Sequence, residues 1–413
     1  MSERSVLLLA GEASGDYHAA SLVRELRRIS PDLRVTGIGG EKLAAAGMEL
    51  LHHYRDINTI GLSEGFDKLR HIVAAYNTMK RELRSGRHRV FIPVDYPDVN
   101  LRLCRIARDA GVAVCYFISP QVWAWRKGRI RKIARRVDRM LTIFPFEEKL
   151  YRDAGVNAQF VGHTMVRDIP ERFDRGLLRS EFDVDPAARV IALVPGSRPA
   201  EINRMLPIMA DAARLYLQTY PDARFLLPLA GPHLAPLVSE ILASRSLPVT
   251  VLSADAVRVM AASDSGLVTS GTATLQAALA EMPHAVAYVL DPLTWWVVMN
   301  LVKPLLMDKD VHVAIANVLS IKKEAEGRGP ISDMLDAGYR VECPHCGRPL
   351  FVPELLQSTA TPDNLAQWLV RFTADPRLTE IMIDGFRQIR AMLTPRVENP
   401  SAAHIILEYL DRA

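Results

Sequence analysis

The sequence predicts an α/β protein built from two doubly wound domains, each a parallel sheet with helices on both faces. Three observations carry that expectation. Short apolar runs alternate with helix-period segments through the first half of the chain, the same alternation restarts at Val190, and 413 residues exceed what one hydrophobic core ordinarily serves.

In the first half the strand-like runs are residues 6–10, 34–38, 90–94, 112–118 and 140–144, with helical segments at 17–29, 41–46 and 100–110. In the second half they are 190–194, 224–229, 248–252, 266–268 and 285–288, with a helix expected over 202–217. The polar stretch 162–185, with Pro170 inside it and Pro186 after it, is the expected join. Helices at 365–372, 378–393 and 402–410 complete the chain. The expected domains are therefore 1–170 and 171–360, with 361–413 packing across both. Sheets of this kind bind ligands outside the carboxyl ends of their strands, so chemistry is expected in a cleft between two facing sheets.

Composition is that of a globular protein, with 49% hydrophobic and 24% charged residues. A net charge of only +4 gives no whole-molecule attraction to nucleic acid, and no nucleic-acid partner is expected. The charge is uneven. Between Arg126 and Arg139 eight cations face the single acid Asp138, which reads either as a solvated helix face or as a surface for anionic lipid. The most apolar late stretch, 293–307, is broken by Asn300, Lys303 and Pro304 and is too short to span a bilayer. Glu3 stands where a secretion signal would be basic, so the expected location is cytoplasmic.

Four turns carry candidate chemistry. Pro195-Gly196-Ser197-Arg198 follows the run 190–194 and opens a helix, so glycine, hydroxyl, guanidinium and helix N-terminus converge on a place for a diphosphate. Ser270-Gly271-Thr272 follows the run 266–268 with the same logic. Glu12, Ser14 and Asp16 lie in the first turn, suited either to sugar hydroxyls or, through Ser14 or Asp16, to capping the helix that follows. That turn lacks G-x-G-x-x-G, so no nicotinamide or flavin cofactor is expected. Asp95, at the end of the run 90–94 and stiffened by Pro97, is placed as a general base, while Asp98 reads as a helix cap or a sugar contact. Trp123 and Trp125, with Arg126 and Arg129, form an amphipathic segment suited to a lipid interface or to core packing.

Taken in order, GEASGD (11–16), DYPDVN (95–100), ISPQVWAWR (118–126), FPFEEKLY (144–151), GHTM (162–165), PGSR (195–198), SGTATL (270–275) and VPELLQ (352–357) resemble the lipid-A-disaccharide synthases across nearly the whole chain. The resemblance implies an inverting, metal-independent glycosyltransferase with two Rossmann-like domains (GT-B), needing no cofactor. It implies UDP-2,3-diacylglucosamine as donor, 2,3-diacylglucosamine 1-phosphate as acceptor, a β(1→6) product and UDP. It also implies a homodimer on the inner face of the inner membrane. Asp95 would be the base, and Arg198 would stabilise the leaving diphosphate. Gly196, Ser197, Ser270, Gly271, Thr272, Gln276 and Asn317 would hold the donor, with Gln276 standing where the family has glutamate.

Relative to the family, about 25 residues are inserted near 320–349 before a VPELLQ helix, including Cys343-Pro344-His345-Cys346. Free thiols are expected there. A zinc site completed by His345, His312 or a second copy is the alternative. Two other activities suit the same scaffold: a UDP-sugar epimerase or hydrolase, and a non-catalytic binding homologue.

Overall fold

The computed structural model describes residues 4–57, 65–123, 127–245, 247–291, 295–296, 312, 314–343 and 346–412. Trp125, Arg126, His345 and nearly all of 293–307 lie outside them. Chain contacts define two compact units, Met1–Met165 with Leu393–Ala413, and Val166–Met392.

In the first unit seven strands form one parallel sheet: β1 (Ser5–Ala10), β2 (Arg34–Gly39), β3 (Glu49–His53), β4 (Val90–Val94), β5 (Ala113–Phe117), β6 (Arg139–Thr142) and β7 (Ala158–Phe160). Their order is β3-β2-β1-β4-β5-β6-β7. Both faces are covered, which is why β1 and β4 are wholly buried and, apart from Ser5, apolar at every position. Leu7, Leu9, Phe91, Leu103, Tyr116 and Met140 share one core cluster. The last helix, Ala402–Arg412, belongs to this unit: Tyr409 Oη donates to the Asp138 carbonyl (3.3 Å) and Asp411 pairs with Arg4.

The second unit holds six parallel strands: β8 (Val190–Val194), β9 (Arg224–Pro228), β10 (Val249–Leu252), β11 (Ser265–Thr269), β12 (His284–Tyr288) and β13 (Glu354–Leu356), in the order β10-β9-β8-β11-β12-β13. The helix Pro199–Thr219 buries Ile202 and Leu206 against Leu227 and Val238. Arg390 fastens the start of this unit, donating to the carbonyls of Ile169, Pro170 and Leu279 at 2.7–3.0 Å.

Three strands escape the sequence reading, namely β3, β7 and β13, and all three are sheet edges. VPELLQ holds a strand, Glu354–Leu356, where a helix was expected. β13 pairs with β12, Gln357 takes a positive φ of 53° after it, and the Glu354 carboxylate is buried where it accepts the Ala314 N–H (3.0 Å). The expected inserted loop is partly helical, over Ile315–Glu326 and Pro330–Asp336. Its later part makes an antiparallel bridge between Glu342 and Pro349.

Candidate active site

Each sheet has one place where strand order reverses, between β1 and β4 in the first and between β8 and β11 in the second. Crossovers leave in opposite directions there and open a crevice at the strands' carboxyl ends. The first crevice receives the turn after β1, with Glu12, and the turn after β4, with Asp95. Ala10 and Val94 are direct partners, so the two turns leave side by side. Gly11 is required here: a Cβ on it would stand 2.4 Å from the Tyr96 ring.

Asp95 and Tyr96 are both left-handed, at φ 41° and 47°, a conformation that costs a non-glycine residue about 1 kcal/mol or more. The surroundings enforce it. The Asp95 carbonyl accepts Asn100 Nδ2 (2.7 Å) and Tyr116 Oη (2.6 Å), and the Asp95 N–H donates to the carbonyls of Phe117 (3.2 Å) and Ile118 (3.3 Å). The backbone of this residue is thus immobilised while its carboxyl carries no ion pair among the described residues. Burial, reinforced by the charge of Glu12, pushes that carboxyl up to about 6, against the pull of the Tyr96 N–H. Near neutral pH it is ionised yet basic enough to take a proton.

The second crevice receives PGSR after β8 and SGTATL after β11, whose strands pair directly, Val268 with Val194. Gly196 (φ 111°) turns the chain into the helix Pro199–Thr219, leaving Ser197 and Arg198 exposed at its start. Gly271 (φ 136°) precedes the helix Thr272–Leu279, with Gly271 and Thr272 exposed, and Ser270 and Gln276 partly so. Two helix N-termini and a guanidinium therefore share one strand edge, an arrangement that attracts an anion.

The sequence profile of the family described as Lipid-A-disaccharide synthetase matches residues 6–324. A lipid-A-disaccharide synthase of Geobacter metallireducens is 37% identical over 99% of this chain and 98% of its own length, and one of Pseudomonas syringae is 35% identical over 97% and 96%. The chain belongs to the lipid-A-disaccharide synthase family. It is an enzyme, a glycosyltransferase, with the two-domain GT-B fold. Among solved structures it resembles a putative UDP-N-acetylglucosamine 2-epimerase from Listeria monocytogenes (TM-score 0.58, 11% identity, covering 98% of this chain and 95% of the other). It also resembles a UDP-GlcNAc 2-epimerase from Neisseria meningitidis bound to UDP-GlcNAc (TM-score 0.56, 12% identity, 99% and 100%). At such identities the likeness is one of fold.

Several residues marked for ligand contact in this glycosyltransferase are committed within the fold. Asp16 does not cap its own helix: its oxygens accept the N–H groups of Gly40 (2.6 Å), Lys42 (3.1 Å) and Leu43 (3.2 Å), capping the helix Glu41–Ala45. Asp98 is not a cap either. Tyr96 holds the N-cap position, and Asp98, in the first turn of Pro97–Asp109, pairs with Arg129. Asn317 is buried with both ends of its amide engaged. Nδ2 donates to the Val352 carbonyl and Glu354 Oε1, and Oδ1 accepts the N–H groups of Phe351 and Val352, all at 2.8–2.9 Å. Its place is to pin β13, which leaves no amide capacity for a nucleotide. Ser14 is partly buried in the first turn of Ala13–Ile29 and makes no cap bond there.

The basic run is also partly consumed. Arg129 pairs with Asp98, Arg136 donates to the Leu101 carbonyl (2.8 Å), and Arg139 reaches Asn157 and Gln159. Arg131, Lys132 and Arg135 are exposed. Trp123 turns its N–H inward, onto Glu147 Oε1 at 2.9 Å. Cys343 is buried and Cys346 exposed, and neither is in a disulfide. His312 Nδ1 lies 3.6 Å from Glu354 Oε2.

Sequence reasoning missed two acids. Glu201 Oε2 accepts the N–H groups of Ser197 (3.1 Å) and Arg198 (3.2 Å), and Oε1 pairs with Arg198 Nη1 (2.9 Å). The spacing of a capping box, three residues from cap to acid, was the available signal. It also accounts for Gly196, where a Cβ would lie 2.6 Å from the same carboxylate. Tyr288, at the end of β12, shares this neighbourhood: burial and then Glu201 raise its hydroxyl against the opposing charges of Arg198 and Arg204. Glu147, inside FPFEEKLY, is the second. It is almost wholly buried, which pushes its carboxyl up to about 8.

Proposed function

We propose that the enzyme joins UDP-2,3-diacylglucosamine to 2,3-diacylglucosamine 1-phosphate through a β(1→6) bond with inversion, releasing UDP. The acceptor 6-hydroxyl oxygen attacks the donor anomeric carbon as the bond from that carbon to the diphosphate breaks. Asp95 takes the hydroxyl proton, and the diphosphate leaves with the bonding electrons toward Arg198 and the N–H groups of Ser197 and Arg198. The observation that carries this reading is Asp95 itself: a fixed backbone, a carboxyl without an ion pair among the described residues, and basicity raised toward neutrality at a sheet's switch point.

The first unit would hold the acceptor, with Glu12 and Ser14 as its polar contacts. The second would hold the donor through Gly196, Ser197, Arg198, Ser270, Gly271, Thr272 and Gln276. UDP-GlcNAc in the similarly folded epimerase supports the donor class. The family, together with exposed Arg131, Lys132 and Arg135, supports peripheral contact with an anionic membrane on its cytoplasmic face. No described helix is long and apolar enough to cross a membrane. The decisive experiment measures UDP release with both diacyl sugars present and with each omitted. Release that needs both supports transfer, release from the donor alone means hydrolysis, and no release from either mixture removes the reading.

A further inference from the structure

Glu147 and Tyr151 stand one turn apart on the helix Pro145–Asp153, so they share a face, and both are buried. That face grips the segment that follows β5. Tyr151 Oη donates to the Pro120 carbonyl (2.7 Å), Trp123 Nε1 donates to Glu147 Oε1 (2.9 Å), and the Phe146 ring meets the indole edge-on at 5.3 Å. The same segment is tied to the proposed base at its other end, since the Asp95 N–H donates to the carbonyls of Phe117 and Ile118. Residues 117–123 thus bridge Asp95 and Glu147. Asp95 is also among the charges acting on the Glu147 carboxyl.

Stability alone does not account for an acid here. Glu147 Oε2 and the Ser119 hydroxyl are both buried and close enough to act on one another, yet neither completes a hydrogen bond of normal geometry, so this carboxyl destabilises relative to an apolar side chain of similar volume. We infer that Glu147 is a positioning residue for the transfer reaction: by anchoring the Trp123 indole it fixes the segment 117–123 against Asp95. The inference rests on reading Asp95 as the base. Burial keeps the Glu147 carboxyl neutral through pH 7, so its work is that of a neutral hydrogen-bond acceptor, which glutamine imitates and leucine does not.

The test compares Glu147→Leu, Glu147→Gln and Trp123→Phe in the full chain, with UDP affinity and melting temperature measured beside turnover. Glu147→Leu should keep UDP affinity and melting temperature while kcat falls roughly tenfold to a hundredfold, the worth of one misplaced buried contact near a base. Glu147→Gln should restore turnover to within about threefold of the parent enzyme. Trp123→Phe, which loses only the N–H and part of the ring, should lower kcat alone, and combining it with Glu147→Leu should cost no more than the larger single change.

Equal damage from glutamine and leucine would overturn the inference by making the carboxyl's charge or proton the active element. Unchanged turnover in Glu147→Leu, or strictly additive losses with Trp123→Phe, would overturn it too. Should Glu147→Leu fail to fold, Trp123→Phe decides, and parental kcat in that variant removes the role. Failure of the Asp95 reading is seen separately, as full turnover in Asp95→Asn.

Discussion

At the β1/β4 junction the strand ends present Glu12 and a partly buried Asp95 on a backbone held in left-handed strain, whereas at the β8/β11 junction they present N–H groups, hydroxyls and the exposed guanidinium of Arg198. The same topological device therefore serves opposite charges. A parallel sheet supplies only the crevice. What it attracts is set by whether the residue after the strand is an acid kept partly from water or a glycine that leads into a helix N-terminus. The acidic crevice gains basicity from its own unfavourable electrostatics. The cationic one already satisfies its donors internally, through Glu201.

The largest expected effect breaks the acidic side. Asp95→Asn should lower kcat by roughly 10²–10⁴ with UDP affinity unchanged. In the parent enzyme kcat/KM should fall about tenfold per pH unit below about 6, because only the ionised form is a base. Stability should move the other way. A carboxyl lifted from 3.8 to about 6 binds more protons folded than unfolded, so its contribution favours the fold at low pH and is lost as pH rises through 6. At pH 7.5 the asparagine variant should accordingly be the more stable by on the order of 1–2 kcal/mol, a gap that closes toward pH 4 in chemical denaturation. A variant that is less stable at pH 7.5 would contradict the burial argument.

Next in size is the cationic side. Arg198→Ala should weaken UDP binding roughly tenfold to a hundredfold by calorimetric titration, the worth of a charge-assisted contact. Glu201→Gln sharpens the comparison, since it neutralises the acid that holds the N–H groups proposed to meet a diphosphate. UDP should bind about threefold to tenfold more tightly, while the helix start loses part of its cap and the melting temperature drops slightly. Unchanged affinity would mean that the diphosphate uses other donors. The smallest effect concerns the exposed cations: Arg131→Ser with Lys132→Ser should weaken co-sedimentation with anionic vesicles by roughly tenfold at low salt and much less at high salt. Turnover on detergent-dispersed substrates should not change.

Central strands were legible in the chain because they are buried on both faces and read as unbroken apolar runs, as 6–10, 90–94 and 190–194 do. The edge strands β3, β7 and β13 were not legible, since an edge is short and mixes polar residues into the pattern. The turns followed the same division. A glycine or an acid directly after an apolar run marked where Asp95 and PGSR stand, because sequence adjacency fixes their place at the strand end.

Partnership across the chain was beyond that reach. Asp16 reaches amides 24 to 27 positions away, Asn317 answers to residues 34 to 37 positions on, and Glu147 meets the indole of Trp123 24 positions back. A carboxylate or amide in a one-dimensional pattern looks the same whether it faces ligand or backbone. The sequence determined the fold class, the family and the strand ends at which the candidate residues stand, since each follows from local pattern and order. Only the packed structure decided which polar groups remained available, because desolvation and hydrogen-bond satisfaction are properties of neighbours brought together by folding.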